Sequence, residues 1–423
     1  MKSFSILFLL FYSLHLSAQV KFDDFFIPKT LRVDYYHSGN ATTDMICFEQ
    51  FKQEPFWGGS KNSLIDIFDF GNYKFSVFDS VSNKEIYSRG FCSLYQEWQN
   101  TDEAKKISRS FYESVIFPFP KKTVKLELYS KDKYMKLTKI FEMYINPGNY
   151  FIKKENPLRF ASYKIFDSGD PSSKVDVVII PDGYTKEDME KLKKDAKRFA
   201  GYLFNHAPFK ENKEKFNIWL VEAYSQESGT DIPGQHVWKN TIVNSNFYTF
   251  DSDRYLTTTD IKSVRDLAGL VPYDQIFIMV NSVKYGGGGV YNAFSMCSSD
   301  NEHAEVVFIH EFGHAFGGLG DEYYDSDVAV QDYYKKEVEP WEPNLTTLVN
   351  FDKKWKNMLD KDTPVPTPDT EKYKNKVGAF EGGGYMPKGM YRPYINCEMK
   401  SLYSGFCPVC QKALKDMIDF YTK

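Results

Sequence analysis

The stretch "VVFIHEFGHAFGGLG", Val306 to Gly320, confines the possible folds more than any other part of the chain. Apolar residues run from Val306 to Phe316 and predict a buried helix, yet His310, Glu311 and His314 interrupt them. Side chains four apart on a helix stand on one face about one turn apart, so the two imidazoles can share an ion. Neutral imidazole is a good Zn²⁺ ligand. Glu311 is offset around the helix by about 100°. Its carboxylate is thus kept beside the ligand position, where it can take a proton from a zinc-bound water and return one to a leaving amine. Without such a partner, three polar groups on a buried helix would carry a heavy desolvation cost. The pattern predicts one zinc ion per chain and hydrolysis of peptide bonds, with His310 and His314 as ligands and Glu311 as general base and acid.

A third ligand is needed. Had the helix continued, residue 321 would lie about 10.5 Å beyond His314 along the axis, out of reach of the ion. Gly317, Gly318 and Gly320 predict a stop, because glycine tolerates the left-handed conformations that turn a chain back across a helix end. Asp321 is then the first residue able to return a carboxylate. Glu322 is the alternative, and if it is not the ligand it is expected to hydrogen-bond a ligand histidine instead.

With 423 residues, 42% hydrophobic and 26% charged, the chain has material for two domains. A net charge of -4 and a pI near 6.1 leave no electrostatic footprint for nucleic acid. At the start, Lys2 precedes an apolar run from Phe4 to Leu16 and the small residues Ser17 and Ala18. That reads as a signal peptide over residues 1–18, too short to be a comfortable membrane span. The mature chain is expected to be exported (periplasmic, cell-surface or secreted), with no transmembrane segment after cleavage. The cysteines are Cys47, Cys92, Cys297, Cys397, Cys407 and Cys410, and the last three lie close enough to predict one disulfide pinning the C-terminal segment. A redox reading of "FCPVC" lacks a thioredoxin-like context, and a structural-metal reading of the trio lacks a fourth Cys or His nearby.

Residues 19–150 show period-two alternation, as in Tyr73, Phe75 and Val77 or Val124, Leu126 and Leu128, and predict an antiparallel β-sandwich. Its aromatic residues are expected mainly in the core. The turn-rich "DSGDPSSK", Asp167 to Lys174, marks a change of pattern. Beyond it, "VDVVIIPDGY", "FNIWLVEAY" and "QIFIMVNS" read as buried strands, and a Thr185-x-x-Asp188 capping box opens a helix with Leu192, Ala196, Phe199 and Leu203 on one face. Strands alternating with helices predict an α/β domain over residues 151–423, and the chain as a whole an α+β multidomain protein. The glycine-rich stretch Gly286 to Ser295 allows either close approach of a substrate strand or a loop closing the cleft.

The strings "HEFGHAFGGLGDEY", "SGDPSSKVDVVIIPDGYT", "AFEGGGYMPKGMYRPYINCEMKSL" and "FCPVC" together resemble the IgA-peptidase family of secreted zinc metallopeptidases, a metzincin-like group. The resemblance covers about residues 151–423, and the preceding sandwich resembles that family's usual N-terminal domain. It implies a metzincin-like peptidase domain with a mixed sheet and an active-site helix. It also implies that Gly320 stands where a metzincin ligand is usual, which favours Asp321 over Glu322, and that Met399 forms the methionine turn below the metal. Tyr391 and Tyr403 are candidates to stabilise a developing oxyanion. The family's named activity on immunoglobulin A does not transfer; the expected substrate is a protein or glycoprotein. The contrasting reading is a non-catalytic adhesion or glycan-binding protein on a peptidase scaffold, which would have little reason to retain Glu311. Nothing in the pattern points to an oligomeric state.

Overall fold

The computed structural model describes residues 19–154, 158–324 and 334–423. The expected signal peptide lies outside these residues. Among the described residues no helix is long and apolar enough to cross a membrane.

The N-terminal region opens with a short turn of helix, α1 (Phe22–Phe25), followed by β1 (Phe26–Gly39), β2 (Asp44–Glu54), β3 (Tyr73–Asp79) and β4 (Glu85–Phe91). Helix α2 (Leu94–Gln99), β5 (Arg109–Pro120), β6 (Val124–Lys131) and β7 (Leu137–Ile145) complete it. The strands form two antiparallel sheets, ordered β2-β1-β5 and β4-β3-β6-β7. The alternation seen in sequence is the alternation of burial: Tyr73, Phe75, Val77, Val124, Leu126 and Leu128 share one apolar cluster with Leu31, Val33 and Phe117 of the facing sheet.

The second region contributes β8 (Ser162–Phe166), β9 (Val175–Asp182), α3 (Met189–Leu203), β10 (Phe216–Val221) and α4 (Ile261–Ala268). It continues through β11 (Gln275–Val280), β12 (Gly287–Val290), β13 (Phe294–Ser298) and α5 (Ala304–Gly317) to β14 (Phe380–Gly383), β15 (Met386–Arg392) and α6 (Pro408–Tyr421). A six-stranded sheet runs β12-β13-β11-β9-β10-β8. Its four inner strands are parallel, and β12 and β8 run antiparallel at the two edges. The predicted capping box is formed, with Thr185 and Asp188 exchanging bonds ahead of α3. The turn at residues 167–174 lies inside this sheet, between β8 and β9, so it marks a connection within the unit.

The seam between the two regions is built from buried charge as well as apolar contact. Arg32 of β1, fully buried, pairs with Asp34 at 2.8 Å and Glu54 at 3.2 Å on its own side and with Asp266 of α4 at 2.8 Å across the seam. Lys52 joins Asp266 at 2.6 Å. Helix α2 leans the other way: its Leu94, Tyr95 and Trp98 belong to the apolar cluster of the second region.

Candidate metal centre

Helix α5 is apolar on nearly every side, with Val307, Phe308, Ile309, Phe312, Ala315 and Phe316 all buried. Phe308 meets Phe277 of β11 and Phe199 of α3, which fixes the helix against the sheet. Only the face bearing His310, Glu311 and His314 opens, onto a cleft of about 970 Å³. The glycines of β12 let the helix come this close. A Cβ at Gly287 would fall 2.8 Å from Glu311 Cγ, and one at Gly289 would fall 2.4 Å from the Glu311 carbonyl oxygen. The run is therefore an ordered edge strand shaped for α5. At Gly287 that edge is already engaged, because Leu256 N–H donates to its carbonyl at 3.1 Å.

The helix stops where the glycines predict. Gly318 adopts a left-handed conformation (φ +62°) and donates to the His314 carbonyl at 3.0 Å. The turn also orients a ligand candidate, since the Leu319 carbonyl lies 2.6 Å from His314 Nδ1. The Glu398 carbonyl lies 3.0 Å from His310 Nδ1. A carbonyl can only accept, so each ring donates from Nδ1, which leaves Nε2 facing the cleft as the atom that would bind an ion once deprotonated. Asn344 clamps the turn by accepting from Gly320 N–H at 2.7 Å and donating to its carbonyl at 2.8 Å.

Asp321 leaves this turn aimed at both imidazoles. Its Oδ1 lies 3.1 Å from His310 Nε2 and 3.2 Å from His314 Nε2, and the two Nε2 atoms are 3.1 Å apart. Three acceptor atoms in a triangle of that size leave room for one ion at roughly 2.0 to 2.2 Å from each. Asp321 Oδ1 is buried and, among the described residues, has no hydrogen-bond partner beyond the two ring nitrogens it faces. Its Oδ2 is held by the hydroxyls of Tyr323, at 2.9 Å, and Tyr385. Burial opposes charge on all three groups, yet Asp321 keeps His310 above its ordinary value and lifts His314 to about 9. The imidazoles in turn hold the Asp321 carboxyl well below the usual range. The residues present fit a zinc ion in chemistry and in spacing.

Met399 is fully buried beneath α5, where a Cβ on Gly313 would come 3.1 Å from its sulfur. Its carbonyl accepts from Glu322 N–H at 2.7 Å. Glu322 does not approach either histidine; the reversal after Asp321 sends its carboxylate behind the turn, to Asn344 at 2.9 Å and Cys410 Sγ at 3.4 Å. The expectation that it would bond a ligand histidine is thereby corrected, since backbone carbonyls fill that place. Tyr391 and Tyr403 do not border the cleft. Tyr391 pairs along its backbone with Thr346, and Tyr403 bonds His303 Nδ1 at 2.6 Å by the first turn of α5, whereas the metal candidates lie toward its last turns. Tyr255, Tyr285, Tyr323 and Tyr385 border the cleft instead.

Glu97 of α2 also lines the cleft, with Gln96, Asn100 and Arg109 from the same region. Its carboxylate accepts from the Tyr255 hydroxyl at 2.6 Å. Burial pushes it up to about 7, against the effect of that hydroxyl. Sequence reading had no signal for it, because only the fold brings residue 97 to residues 310–321.

The IgA Peptidase M64 family matches residues 163–375 and 369–418, and the Peptidase M64 N-terminus matches residues 21–142. The first match spans more than half of the chain, and the chain therefore belongs to the IgA Peptidase M64 family, a family of metallopeptidases. A comparison with curated protein sequences found no match.

Proposed function

We propose that the chain is an exported zinc endopeptidase that cleaves protein or glycoprotein substrates in the cleft along α5. The observation that supports this most is the convergence of His310 Nε2, His314 Nε2 and Asp321 Oδ1 within 3.2 Å of one another on an open cleft. Zinc held by these atoms supplies Lewis acidity toward a peptide carbonyl and toward water. Asp321 would offer Oδ1 to such an ion, while Tyr323 and Tyr385 hold Oδ2 and so fix the carboxylate's angle. Glu311, one position along the helix from His310, takes the proton of the attacking water and hands one to the departing amine nitrogen. Burial raises the Glu311 carboxyl above its ordinary value, which strengthens it as a base, and the two imidazoles oppose that rise. Export rests on the basic-then-apolar opening, Lys2 and Phe4 to Leu16. We place the division between the two domains near residue 150.

The test is metal analysis of the purified full-length protein together with its cleavage profile on a proteome-derived peptide library, wild type against Glu311→Gln. Wild type should cleave and the variant should not, with zinc retained in both. A zinc-loaded wild type that cleaves nothing, or a variant that cleaves as well as wild type, would refute the reading.

A further inference from the structure

The three C-terminal cysteines are not joined by the expected disulfide: all carry free thiols, with Cys397 Sγ and Cys410 Sγ 3.6 Å apart. They are also not alone. The carboxylate that leaves the α5 turn on the opposite side from Asp321, that of Glu322, reaches them, and one donor atom from each of Glu322, Cys397, Cys407 and Cys410 lies within 4.8 Å of the others. All four residues are buried.

We propose that Glu322, Cys397, Cys407 and Cys410 form a second metal site, a structural zinc centre directly behind the first. The spacing fits. For a tetrahedral ion with Zn–S of about 2.3 Å and Zn–O of about 2.0 Å, sulfur atoms stand about 3.8 Å apart and a sulfur and an oxygen about 3.5 Å apart. The corresponding separations are 3.6 Å for Cys397 to Cys410 and 3.4 Å for Cys410 to Glu322. The second carboxylate oxygen, Glu322 Oε2, is buried with no hydrogen-bond partner among the described residues. "CPVC" is a metal-knuckle spacing, Cys407 capping α6 and Cys410 in its first turn, and Cys407 N–H donates to Cys397 Sγ at 3.3 Å. Such N–H donors offset the negative charge that three thiolates and a carboxylate leave around one divalent ion, and the buried guanidinium of Arg392 adds a positive charge nearby. Burial of all three thiols argues against disulfide exchange, which needs an accessible sulfur.

The centre ties the turn after α5 to the segment before α6 and to the start of α6. It shares both segments with the first site, since Asp321 precedes Glu322 and the Glu398 carbonyl that orients His310 follows Cys397. The fourth ligand was invisible in sequence because it is a carboxylate 75 positions before Cys397.

Full-length protein purified under reducing conditions and equilibrated with zinc should contain about two zinc ions per chain by elemental mass spectrometry, and Asp321→Ala about one. The Asp321→Ala protein loaded with Co²⁺ alone should show near-ultraviolet thiolate-to-cobalt charge transfer, and adding Cys410→Ser to it should remove that band. Because a serine variant can fail to fold, the band in the Asp321→Ala protein decides by itself. The result does not depend on peptidase activity. Absence of the band in folded Asp321→Ala protein, or a native disulfide joining any two of the three cysteines, overturns the proposal.

Discussion

Asp321 and Glu322 are consecutive residues whose carboxylates serve opposite sides of one turn: Asp321 Oδ1 lies 3.1 Å from His310 Nε2, and Glu322 Oε1 lies 3.4 Å from Cys410 Sγ. The turn that allows this is held by Asn344, which bonds both the Gly320 backbone and the Glu322 side chain. Replacing Asn344 with Ala should leave three buried polar groups short of a partner and loosen both carboxylates. Zinc affinity measured by competition with a chromophoric chelator should fall by about 10- to 100-fold, the usual effect of losing an outer-shell partner. Unchanged affinity would mean that the glycines alone set the turn.

Tyr323 and Tyr385 both donate to Asp321 Oδ2. The double variant Tyr323→Phe, Tyr385→Phe removes both donors while keeping the rings. The account predicts weaker zinc binding and a smaller kcat, with the fold intact by circular dichroism. Full zinc affinity in that protein would show that the carboxylate needs no such support.

Glu97 carries the N-terminal region into the cleft, and it is not a ligand or a base in this account. Glu97→Gln should therefore keep the zinc content and act mainly on KM, by about 3- to 10-fold for peptides that reach this wall. A loss confined to kcat would place Glu97 in the chemistry instead.

How much of this was legible in sequence follows from how local each signal is. The buried strands β9, β10 and β11 and the helix α5 announce themselves because each is a continuous apolar run, and all of them are present where the pattern put them. His310 and His314 share a helix face by spacing alone, whereas the reach argument left Asp321 and Glu322 both open and only the family resemblance favoured Asp321. Glu97, Tyr385 and the partnership of Glu322 with three cysteines have no such local signal. Each depends on tertiary closure across tens to hundreds of residues, and a useful tyrosine cannot be singled out among thirty by type. Tyr391 and Tyr403 failed as candidates for that reason.

The buried His37 predicts a pH dependence for the stability of the N-terminal sandwich. His37 is buried between Glu113, at 3.1 Å, and Asp44, and stacks on Tyr95. Burial disfavours its charge, but the Glu113 and Asp44 carboxylates outweigh that and raise it to about 9. A group raised on folding stabilises fully below its unfolded value, about 6.5, and that contribution is lost as pH climbs through about 9. Denaturant unfolding should show a loss of about 3 kcal/mol across this window, absent in His37→Gln. An identical pH profile for the variant would dismiss His37 as the cause.

Phe199 joins α3 to the sheet and to the active helix, with ring centroids 5.2 Å from Phe277 and 5.4 Å from Phe308. It is fully buried, so Phe199→Ala should cost about 3 to 5 kcal/mol by the cavity it leaves. A loss below about 1 kcal/mol would show that the core collapses around the gap.

The central claim is that His310, His314 and Asp321 together hold one zinc ion. Diffraction from crystals of the zinc-loaded protein, recorded on both sides of the zinc absorption edge, tests it without recourse to activity. The account predicts an anomalous peak about 2.0 to 2.2 Å from His310 Nε2, His314 Nε2 and an Asp321 carboxylate oxygen. A peak bonded to the two histidines with Asp321 turned away, or no peak between the histidines at all, would contradict it.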